Sequence, residues 1–353
     1  MDPPEKRARV AMELVKLPGE TELTVSPVCL GTMSFVGAGG MGSTGEDDAI
    51  RVIHHAIKEG VNFFDTAEAY IDHAADRILG KALRAAFDQG LTTRDKVVVA
   101  GKFGRHEGER SIEYSADMIE TSLMKSLDAL GMDCLDLYQV HWAANMKSAK
   151  ETVETLERLK LLGKIKSYGV CNFGIRSLQE FLDCGGRPIT NQLPYNLLWR
   201  AIEFEILPLC REKGIAVLTY SSLQQGLLSG KFTEPSQVPE GRRRTRHFPA
   251  DSTGLSRHGQ AGCEVLTFET IQKLKNLVGD GMPDAAVQWL LRQAGVTSVL
   301  IGASTAEQVS ANVKAVSQAM DDEVAQKCTD ATEDLKAILG SDPDMWARSS
   351  RYR

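Results

Sequence analysis

Paired cysteines, long apolar runs and an excess of positive charge are all missing from this 353-residue chain. Its seven cysteines are scattered, with no Cys-x-x-Cys pair, which argues against a disulfide framework or a zinc site and favours a reducing compartment. The net charge of −6 argues against a general nucleic-acid binder. No stretch approaches ~20 continuous apolar residues, so we expect no membrane span.

The N-terminal decapeptide MDPPEKRARV has no apolar core of the kind that secretory signals contain. Together with the free thiols, this favours a cytoplasmic protein. Nothing in these properties indicates a macromolecular partner, and the oligomeric state is left open. The composition is that of an ordinary globular protein.

Short apolar runs recur along the chain, with helical segments between them. Continuous apolar runs are typical of parallel strands that are buried on both faces. The eight runs are VCLG (28–31), VNFFD (61–65), VVVAGK (97–102), LDLYQVH (135–141), IKSYGVCN (165–172), PITNQL (188–193), IAVLTYSS (215–222) and SVLIGAS (298–304). Eight strands that alternate with helices predict an α/β fold, a single (β/α)8 TIM barrel without a domain boundary between residues 1 and 353.

Helix ends and segments outside the repeat can also be located. We predict helices at 46–59, 115–130, 150–162, 202–213 and 284–294. Residues 12–25 read as a β-hairpin that turns at Pro18-Gly19 and plugs the bottom of the barrel. Residues 227–262 form a long loop after the seventh strand, and the polar, basic tail 341–353 either folds over a loop or stays mobile.

Gly37, Gly39 and Gly42 spell the G-x-G-x-x-G of dinucleotide-binding sites. In such sites the first glycine ends the strand directly, whereas TMSFV separates these glycines from the strand that stops near Gly31. The helix begins only around Glu46. The motif therefore indicates a flexible loop on the substrate side more than a Rossmann fold.

Four residues with proton-transfer chemistry meet at one rim of the predicted barrel. Asp65, Lys102 and His141 each close an apolar run, and Tyr70 follows Asp65 in the next loop. An ammonium group favours a nearby phenolate, so we expect Lys102 to lower the pKa of Tyr70 from about 10. Asp65 would hold Lys102 as an ion pair, and His141 would orient a substrate carbonyl. Protonation of a carbonyl oxygen during reduction needs a hydride, which only a cofactor can supply.

Each of the four also has a structural interpretation on its own. A lone Asp at a strand end is often a helix cap, a lone Lys a surface charge and a lone His a hydrogen-bonded core residue. Four such groups at the same rim of successive barrel strands favour catalysis jointly.

The motifs FFDTAEAY, GKFG, LYQVHW, GVCNF, NQLPYN, TYSSLQQGLLSGK and IGASTAEQVSAN are similar, in this order, to those of the aldo-keto reductase superfamily. The resemblance extends over about residues 12–320 and is closer to the branch of the potassium-channel β subunits and bacterial general-stress or inositol-cluster oxidoreductases. It implies an NADP(H)-dependent reductase of aldehydes and ketones, with Tyr70 as the general acid.

The same resemblance assigns cofactor contacts residue by residue. It implies that the nicotinamide lies against Cys171, Asn172, Gln192 and Tyr220, the pyrophosphate against Leu228, Gly230 and Lys231, and the adenosine end against Gly302, Ser304, Gln308 and Asn312. Cys171 replaces a serine of the family, and a thiol is the weaker hydrogen-bond partner. The family's frequent Lys or Arg near the 2′-phosphate is absent. NADP(H) remains the expected cofactor.

Loops at the catalytic rim are expected to line a pocket for small carbonyl compounds with Met33, Phe35, Trp142, Trp199 and Leu223. The basic run at 242–246 is expected to be a solvated loop or a clasp over the cofactor phosphates. His54-His55 has no accompanying carboxylate motif, so we predict no metal site.

Two other functions are alternatives to a working reductase. A regulatory or redox-sensing module that binds NADP(H) with little turnover retains the same four residues, so the sequence leaves it open. A short-chain dehydrogenase needs Tyr-x-x-x-Lys on a helix. No tyrosine of this chain has a lysine four residues later, which removes that interpretation.

Overall fold

The structure is a computed structural model that describes residues 12–37, 44–107 and 110–352. Its strands are β1 (Val15–Lys16), β2 (Thr24–Val25), β3 (Val28–Gly31), β4 (Phe63–Asp65), β5 (Val98–Phe103), β6 (His106–Glu107), β7 (Arg110–Ser111), β8 (Leu135–Val140), β9 (Ile165–Cys171), β10 (Thr190–Pro194), β11 (Ala216–Tyr220) and β12 (Val296–Ile301). Eight of them close into a parallel barrel in the order β3-β4-β5-β8-β9-β10-β11-β12. The predicted TIM barrel is confirmed, because each predicted run overlaps one barrel strand.

Helices surround this barrel. They are α1 (Glu46–Lys58), α2 (Ala74–Asp88), α3 (Ala116–Leu130), α4 (Ala149–Leu161), α5 (Ile175–Asp183), α6 (Ile206–Glu212), α7 (Glu264–Val278), α8 (Met282–Leu291), α9 (Ala306–Val316), α10 (Asp322–Ala331) and α11 (Glu333–Leu339). The helix predicted at 284–294 corresponds to α8, which begins two residues earlier and has Pro283 in its first turn. The helix predicted at 202–213 is shorter, because Glu205 leaves the helical region and separates a 3-10 turn from α6.

The hairpin at the barrel floor is also present. β1 and β2 pair antiparallel, and Gly19 adopts a φ of 84° in the connecting turn. Leu17, Leu23 and Val25 are buried in one cluster with side chains from inside the barrel, including Phe63 and Ala100. The hairpin therefore closes the barrel end opposite the C-terminal ends of the strands.

The two-residue pleat of the strands brings the polar groups of the rim inside the barrel. Phe63 belongs to the inner cluster and Phe64 to the outer one, so Asp65 points inward again. On β5, Ala100 is inside and Phe103 outside, which turns Lys102 inward. Apolar residues thus fill the floor, and an acid and an amine follow them at the rim.

The glycine-rich segment after β3 is only partly described. Gly37, with a φ of 69°, ends the 3-10 turn Met33–Val36. Gly39 and Gly42 lie outside the described residues. Helix α1 begins at Glu46, as predicted.

The loop after β11 contains short 3-10 turns at Pro235–Gln237, Glu240–Arg242 and Ala250–Ser252. The C-terminal tail folds back over this loop, since the main-chain N–H of Arg246 donates to the carbonyl of Met345. Among the helices of the described residues, none has the length and apolar character needed to span a membrane.

Candidate active site

A buried ion pair between Asp65 and Lys102 forms the centre of the rim. The Lys102 Nζ lies 2.5 Å from Asp65 Oδ1 and also donates to the Thr66 carbonyl at 3.0 Å and to Tyr70 Oη at 3.2 Å. All three ammonium hydrogens therefore have acceptors. Burial acts against the charged form, but Asp65 outweighs it and raises the pKa of Lys102 well above its usual range. Lys102 consequently carries its charge at neutral pH.

Asp65 is held from the opposite side by two amides. Its Oδ2 accepts from Gln192 Nε2 at 2.8 Å and from Gln139 Nε2 at 3.5 Å. The carboxylate thus keeps one oxygen for the ammonium and one for the amides. Gln139, which sequence reasoning missed, lies on β8 and faces the barrel interior.

Tyr70 lies directly beside the ammonium, with its ring centroid 4.9 Å from Lys102 Nζ. Burial raises the pKa of Tyr70 to about 12, although the Lys102 charge acts in the opposite direction. The expectation that the pKa of Tyr70 would fall below 10 is therefore wrong. Burial destabilises the phenolate by more than the nearby ammonium stabilises it. Tyr70 keeps its proton at neutral pH, which is the form that a proton donor needs.

The loop that carries Tyr70 has an unusual backbone. Ile71, Asp72 and His73 have φ values of 52°, 47° and 61°, so three consecutive non-glycine residues are left-handed. Ile71 is more than half exposed, and a β-branched residue is especially strained in this region. Such a conformation persists only where the surroundings impose it.

Buried carboxylates on both sides of this loop impose that conformation. Glu68 accepts from the Gly104 N–H at 2.7 Å, from the Tyr114 hydroxyl at 2.5 Å and from Ser122 Oγ at 2.7 Å. Asp76 lies 2.8 Å from His73 Nδ1. Sequence reasoning missed this network, although a second acid only two residues before Tyr70 was a usable signal.

His141 completes the group of four. Its ring is edge-on to that of Tyr70, with centroids 6.2 Å apart and an interplanar angle of 83°. The main-chain N–H of His141 donates to the Phe103 carbonyl at 2.9 Å, which fixes it beside β5. The structure thus brings Asp65, Tyr70, Lys102 and His141 to one place, and their arrangement can transfer a proton to a carbonyl oxygen.

Asn172 and Tyr220 face each other on the neighbouring part of the rim. The Tyr220 hydroxyl donates to Asn172 Oδ1 at 2.8 Å, and Asn172 Nδ2 donates to the His141 carbonyl at 3.1 Å. Cys171 is buried, and its Sγ lies 3.6 Å from Gln192 Oε1. Because the Gln192 amide nitrogen is bonded to Asp65, this glutamine is tied to the buried ion pair in the structure. Its contact with a cofactor stays a prediction.

The remaining cofactor candidates lie around β11 and β12. Leu228 is buried, whereas Gly230 and Lys231 are partly or fully exposed after a 3-10 turn. Thr305 caps α9 by accepting from the Gln308 N–H at 3.3 Å, and Gln308 Oε1 accepts from the Ser304 N–H at 2.7 Å.

These groups fit a nicotinamide dinucleotide. Gly302 and Ser304 are exposed at the start of α9, Asn312 is half-buried on the same helix, and a helix start attracts phosphate. An amide beside a tyrosine ring suits the nicotinamide end.

The five predicted pocket residues have different surroundings. Met33 and Leu223 are half-buried at the rim, and the Trp142 ring lies 6.2 Å from that of His141. Phe35 is buried in the outer core. Trp199 is fully buried, and its indole N–H donates to the Pro343 carbonyl at 3.2 Å. Trp199 therefore contacts the C-terminal tail, and its assignment to the substrate pocket stays a prediction.

The C-terminal tail extends to the same rim. The Tyr352 hydroxyl donates to Asn172 Oδ1 at 2.5 Å, and the Trp346 ring is parallel to that of Tyr220, with centroids 6.1 Å apart. Arg351 lies over the Trp142 ring at 4.0 Å. Of the two expectations for the tail, the structure therefore shows the folded one. Sequence reasoning missed these three side chains, and the aromatic residues within a basic tail were the available signal.

The basic run holds the long loop and the tail together. Arg242 donates to the Gln225 carbonyl at 3.2 Å, and Arg243 donates to the Val238 carbonyl at 2.7 Å. The buried Arg246 forms an ion pair with Asp342. These contacts favour neither a freely solvated loop nor a mobile clasp.

His54 and His55 bond elsewhere, to the Ala82 carbonyl and to Ser310 Oγ, both at 2.8 Å. Within residues 12–37, 44–107 and 110–352, no group of three or more His, Cys, Asp or Glu side chains could hold a metal ion.

Comparisons with known proteins agree with this geometry. The profile of the Aldo/keto reductase family matches residues 27–333. The NADH-specific methylglyoxal reductase of Escherichia coli is 33% identical over 91% of this chain and 99% of its own length. The aldo-keto reductase YhdN of Bacillus subtilis is 32% identical over 83% of this chain and 85% of its own.

Among solved structures, a glycerol dehydrogenase of Gluconobacter oxydans is 29% identical, with a TM-score of 0.74. The match covers 91% of this chain and 95% of the dehydrogenase. The holo form of an aldo-keto reductase of Bacillus halodurans is 26% identical, with a TM-score of 0.72. The match covers 91% of this chain and 96% of that reductase.

Proposed function

Because this chain belongs to the aldo/keto reductase family, we propose that it reduces small aldehydes and ketones to alcohols with NADP(H). The observation that carries the proposal is the phenol of Tyr70, whose oxygen lies 3.2 Å from the buried ammonium nitrogen of Lys102. A neutral acid beside a fixed positive charge can release its proton when negative charge develops on a substrate oxygen.

Each of the four residues has one role in this proposal. Tyr70 donates its proton to the carbonyl oxygen, and Lys102 stabilises the phenolate that remains. Asp65 fixes Lys102 and balances its charge, so the site does not bury an unpaired cation. His141 positions the carbonyl oxygen near Tyr70. A bound nicotinamide dinucleotide supplies the hydride, which no side chain can provide.

The adenosine end of the site supports modest selectivity between NADPH and NADH. Residues 302–312 contain no Lys or Arg, and the first turn of α9 contains Glu307. A 2′-phosphate would meet the helix start and Ser304 but no cation. We therefore expect kcat/KM for NADPH to exceed that for NADH by less than about tenfold, which corresponds to ~1.4 kcal/mol. A ratio above about a hundredfold in either direction would contradict this assignment.

The pocket lining supports small substrates. Met33, Trp142 and Leu223 follow the C-terminal ends of β3, β8 and β11 and offer apolar surface at the rim, which suits carbonyl compounds with modest apolar groups. The similar proteins from E. coli and G. oxydans are named for methylglyoxal and glycerol. A panel should therefore begin with three-carbon aldehydes and ketones and then add larger aliphatic and aromatic ones.

The decisive experiment is Tyr70→Phe, assayed with NADPH and the best aldehyde of that panel. We expect kcat to fall by about 10²–10⁴-fold, since only the proton donor is lost, while NADPH binding is nearly unchanged. Tyr168→Phe is the matched control, because Tyr168 faces the outer core and bonds to Glu157. Near-normal turnover by Tyr70→Phe would refute the mechanism.

The alternative of a dinucleotide-sensing subunit with little turnover is not favoured. Similar proteins over nearly the whole chain are named as reductases or dehydrogenases. The substrate panel separates the two functions. Rapid turnover of any aldehyde supports the enzyme, and tight NADPH binding without turnover of any of them supports the sensor.

A further inference from the structure

The far end of the C-terminal tail occupies the part of the rim where the nicotinamide is proposed to bind. Tyr352 is only 7% exposed. Its hydroxyl donates to Asn172 Oδ1, and its oxygen is 3.0 Å from that of Tyr220. A nicotinamide carboxamide held by Asn172 would donate an N–H to that same amide oxygen. Asn172 Oδ1 already accepts from Tyr220 and Tyr352, which fills both lone pairs of the oxygen.

The aromatic surface of the site is covered as well. The Trp346 indole is stacked on the Tyr220 ring with an interplanar angle of 6°. The Tyr352 ring packs edge-on against Trp142, with centroids 5.6 Å apart. Two aromatic side chains of the tail thus use surfaces that a nicotinamide and a substrate would need.

One ion pair sets this conformation of the tail. Asp344 accepts from Arg351 Nε at 2.7 Å and from Arg351 Nη2 at 2.9 Å, which closes the segment between them into a loop. Asp344 is fully buried, and it also accepts from the main-chain N–H groups of Trp346 and Ala347. The bidentate geometry fixes Arg351 and therefore the position of Tyr352.

The segment before this loop is anchored independently. Met345 packs against Trp199, and Arg246 binds Asp342. Residues 342–345 can consequently stay in place while residues 346–352 move. Displacement of residues 346–352 breaks the Arg351–Asp344 ion pair and the bond from Arg246 to the Ala347 carbonyl. It also breaks the neutral hydrogen bonds and the stacking at the rim.

We propose that residues 346–352 are a built-in occupant of the nicotinamide pocket, with Tyr352 in the place of the carboxamide, and that the dinucleotide must displace them to bind. This inference rests on the proposed function. The buried phenol of Tyr352 suits the role, since burial raises its pKa well above 10 and keeps it a neutral donor. The occupied state lowers the apparent affinity for the dinucleotide by the fraction of molecules in which the pocket is open.

The test measures the Kd of NADPH by isothermal titration calorimetry for the intact chain and for variants of the tail. Deletion of residues 352–353 and, separately, Arg351→Gln should each tighten the Kd about tenfold if the pocket is open in about a tenth of the molecules. Tyr352→Phe, which removes only the hydroxyl, should tighten it two- to threefold by the same relation. Arg348→Gln is the matched control, because this substitution removes the same charge from an exposed side chain that lies beside Gly259.

Hydrogen exchange gives a second measurement that does not depend on turnover. NADPH should speed amide exchange in a peptide that covers residues 344–352, since displacement exposes the N–H groups now bonded to Asp344. A bound ligand ordinarily slows exchange near its site, so faster exchange identifies displacement. Slower exchange, together with an unchanged or weaker Kd after the deletion, would overturn the proposal.

The two proposals fail in different ways. If the intact chain and the deletion variant bind NADPH and NADH equally well, the tail is not a competitor, but the reductase assignment stands. If neither form binds either dinucleotide, the proposed function itself is refuted, and the role of the tail with it.

Discussion

The two halves of the barrel rim hold their side chains in different ways. On the side of β4 and β5, Asp65 and Lys102 form a fully buried ion pair, and every hydrogen of the ammonium is used. On the side of β9 and β11, Asn172 and Tyr220 are joined by neutral hydrogen bonds and covered by the tail. Charge-assisted bonds between buried groups are about twice as strong as neutral ones.

This difference separates groups that must stay fixed from groups that must exchange partners. The proposed proton transfer requires Tyr70 and Lys102 to keep one geometry, and the strong pair of Lys102 with Asp65 provides it. Binding and release of a dinucleotide require contacts that break easily. The three predictions below test this contrast, in order of decreasing expected effect.

The largest effect is expected from Lys102→Met. It leaves the Asp65 carboxylate buried without its cation, which costs about 3–5 kcal/mol of unfolding free energy, and kcat should fall more than ~10³-fold because Tyr70 also loses its charged neighbour. Urea unfolding and steady-state turnover measure the two effects. Lys81→Met is the control, since Lys81 pairs with Glu46 at the surface and such pairs contribute less than ~1 kcal/mol. Equal losses of unfolding free energy and of kcat in the two variants would contradict the contrast between the two halves of the rim.

The second prediction concerns pH. Because the pKa of Tyr70 is raised to about 12, the phenol stays protonated below that pH and the phenolate fraction grows about tenfold per unit as pH rises. The kcat/KM of carbonyl reduction should therefore not fall through ionisation of Tyr70 between about pH 6 and 9. Alcohol oxidation, which needs the phenolate as a base, should gain about tenfold in kcat/KM per unit over the same interval. A plateau in oxidation that begins below about pH 9 would show that Tyr70 ionises earlier in the functioning enzyme.

The smallest effect is expected from Ile71→Gly in the loop after Tyr70. Ile71 has a φ of 52°, so glycine should relieve about 1 kcal/mol of backbone strain and raise the unfolding free energy. Leu161→Gly, at an exposed position at the end of α4, should instead lower it by about 0.5–1 kcal/mol. The same change from aliphatic residue to glycine thus acts with opposite signs. A loss of stability in Ile71→Gly would show that the loop is held by the Ile71 side chain.

Sequence periodicity predicted much of this arrangement. The barrel strands followed from apolar runs, and Asp65, Lys102 and His141 each ended one of them, so their meeting at one rim required only the parallel order. The pairing of Asp65 with Lys102 followed from opposite charge. These features depend on the local apolar pattern and on the alternation of side chains along a strand, and a short stretch of sequence determines both.

Other features depended on contacts between distant segments. The sign of the Tyr70 pKa shift required knowing how deeply the phenol is buried, and the sequence carries no such number. Tyr352 and Asn172 are 180 positions apart, and no periodicity relates them. Gln192 is predicted to contact a cofactor, and its amide nitrogen also bonds to Asp65, which required knowing that β10 closes beside β9.

The hairpin at the barrel floor has an electrostatic consequence for the chemistry at the rim. Leu17, Leu23 and Val25 seal a cluster that includes Phe63 and Ala100, each two residues before a member of the ion pair on the same strand. These five side chains are buried, so the medium beneath Asp65 and Lys102 has a low dielectric constant and their attraction is weakly screened. The hairpin of the first two strands thus strengthens the electrostatic attraction within an ion pair at the opposite end of the barrel.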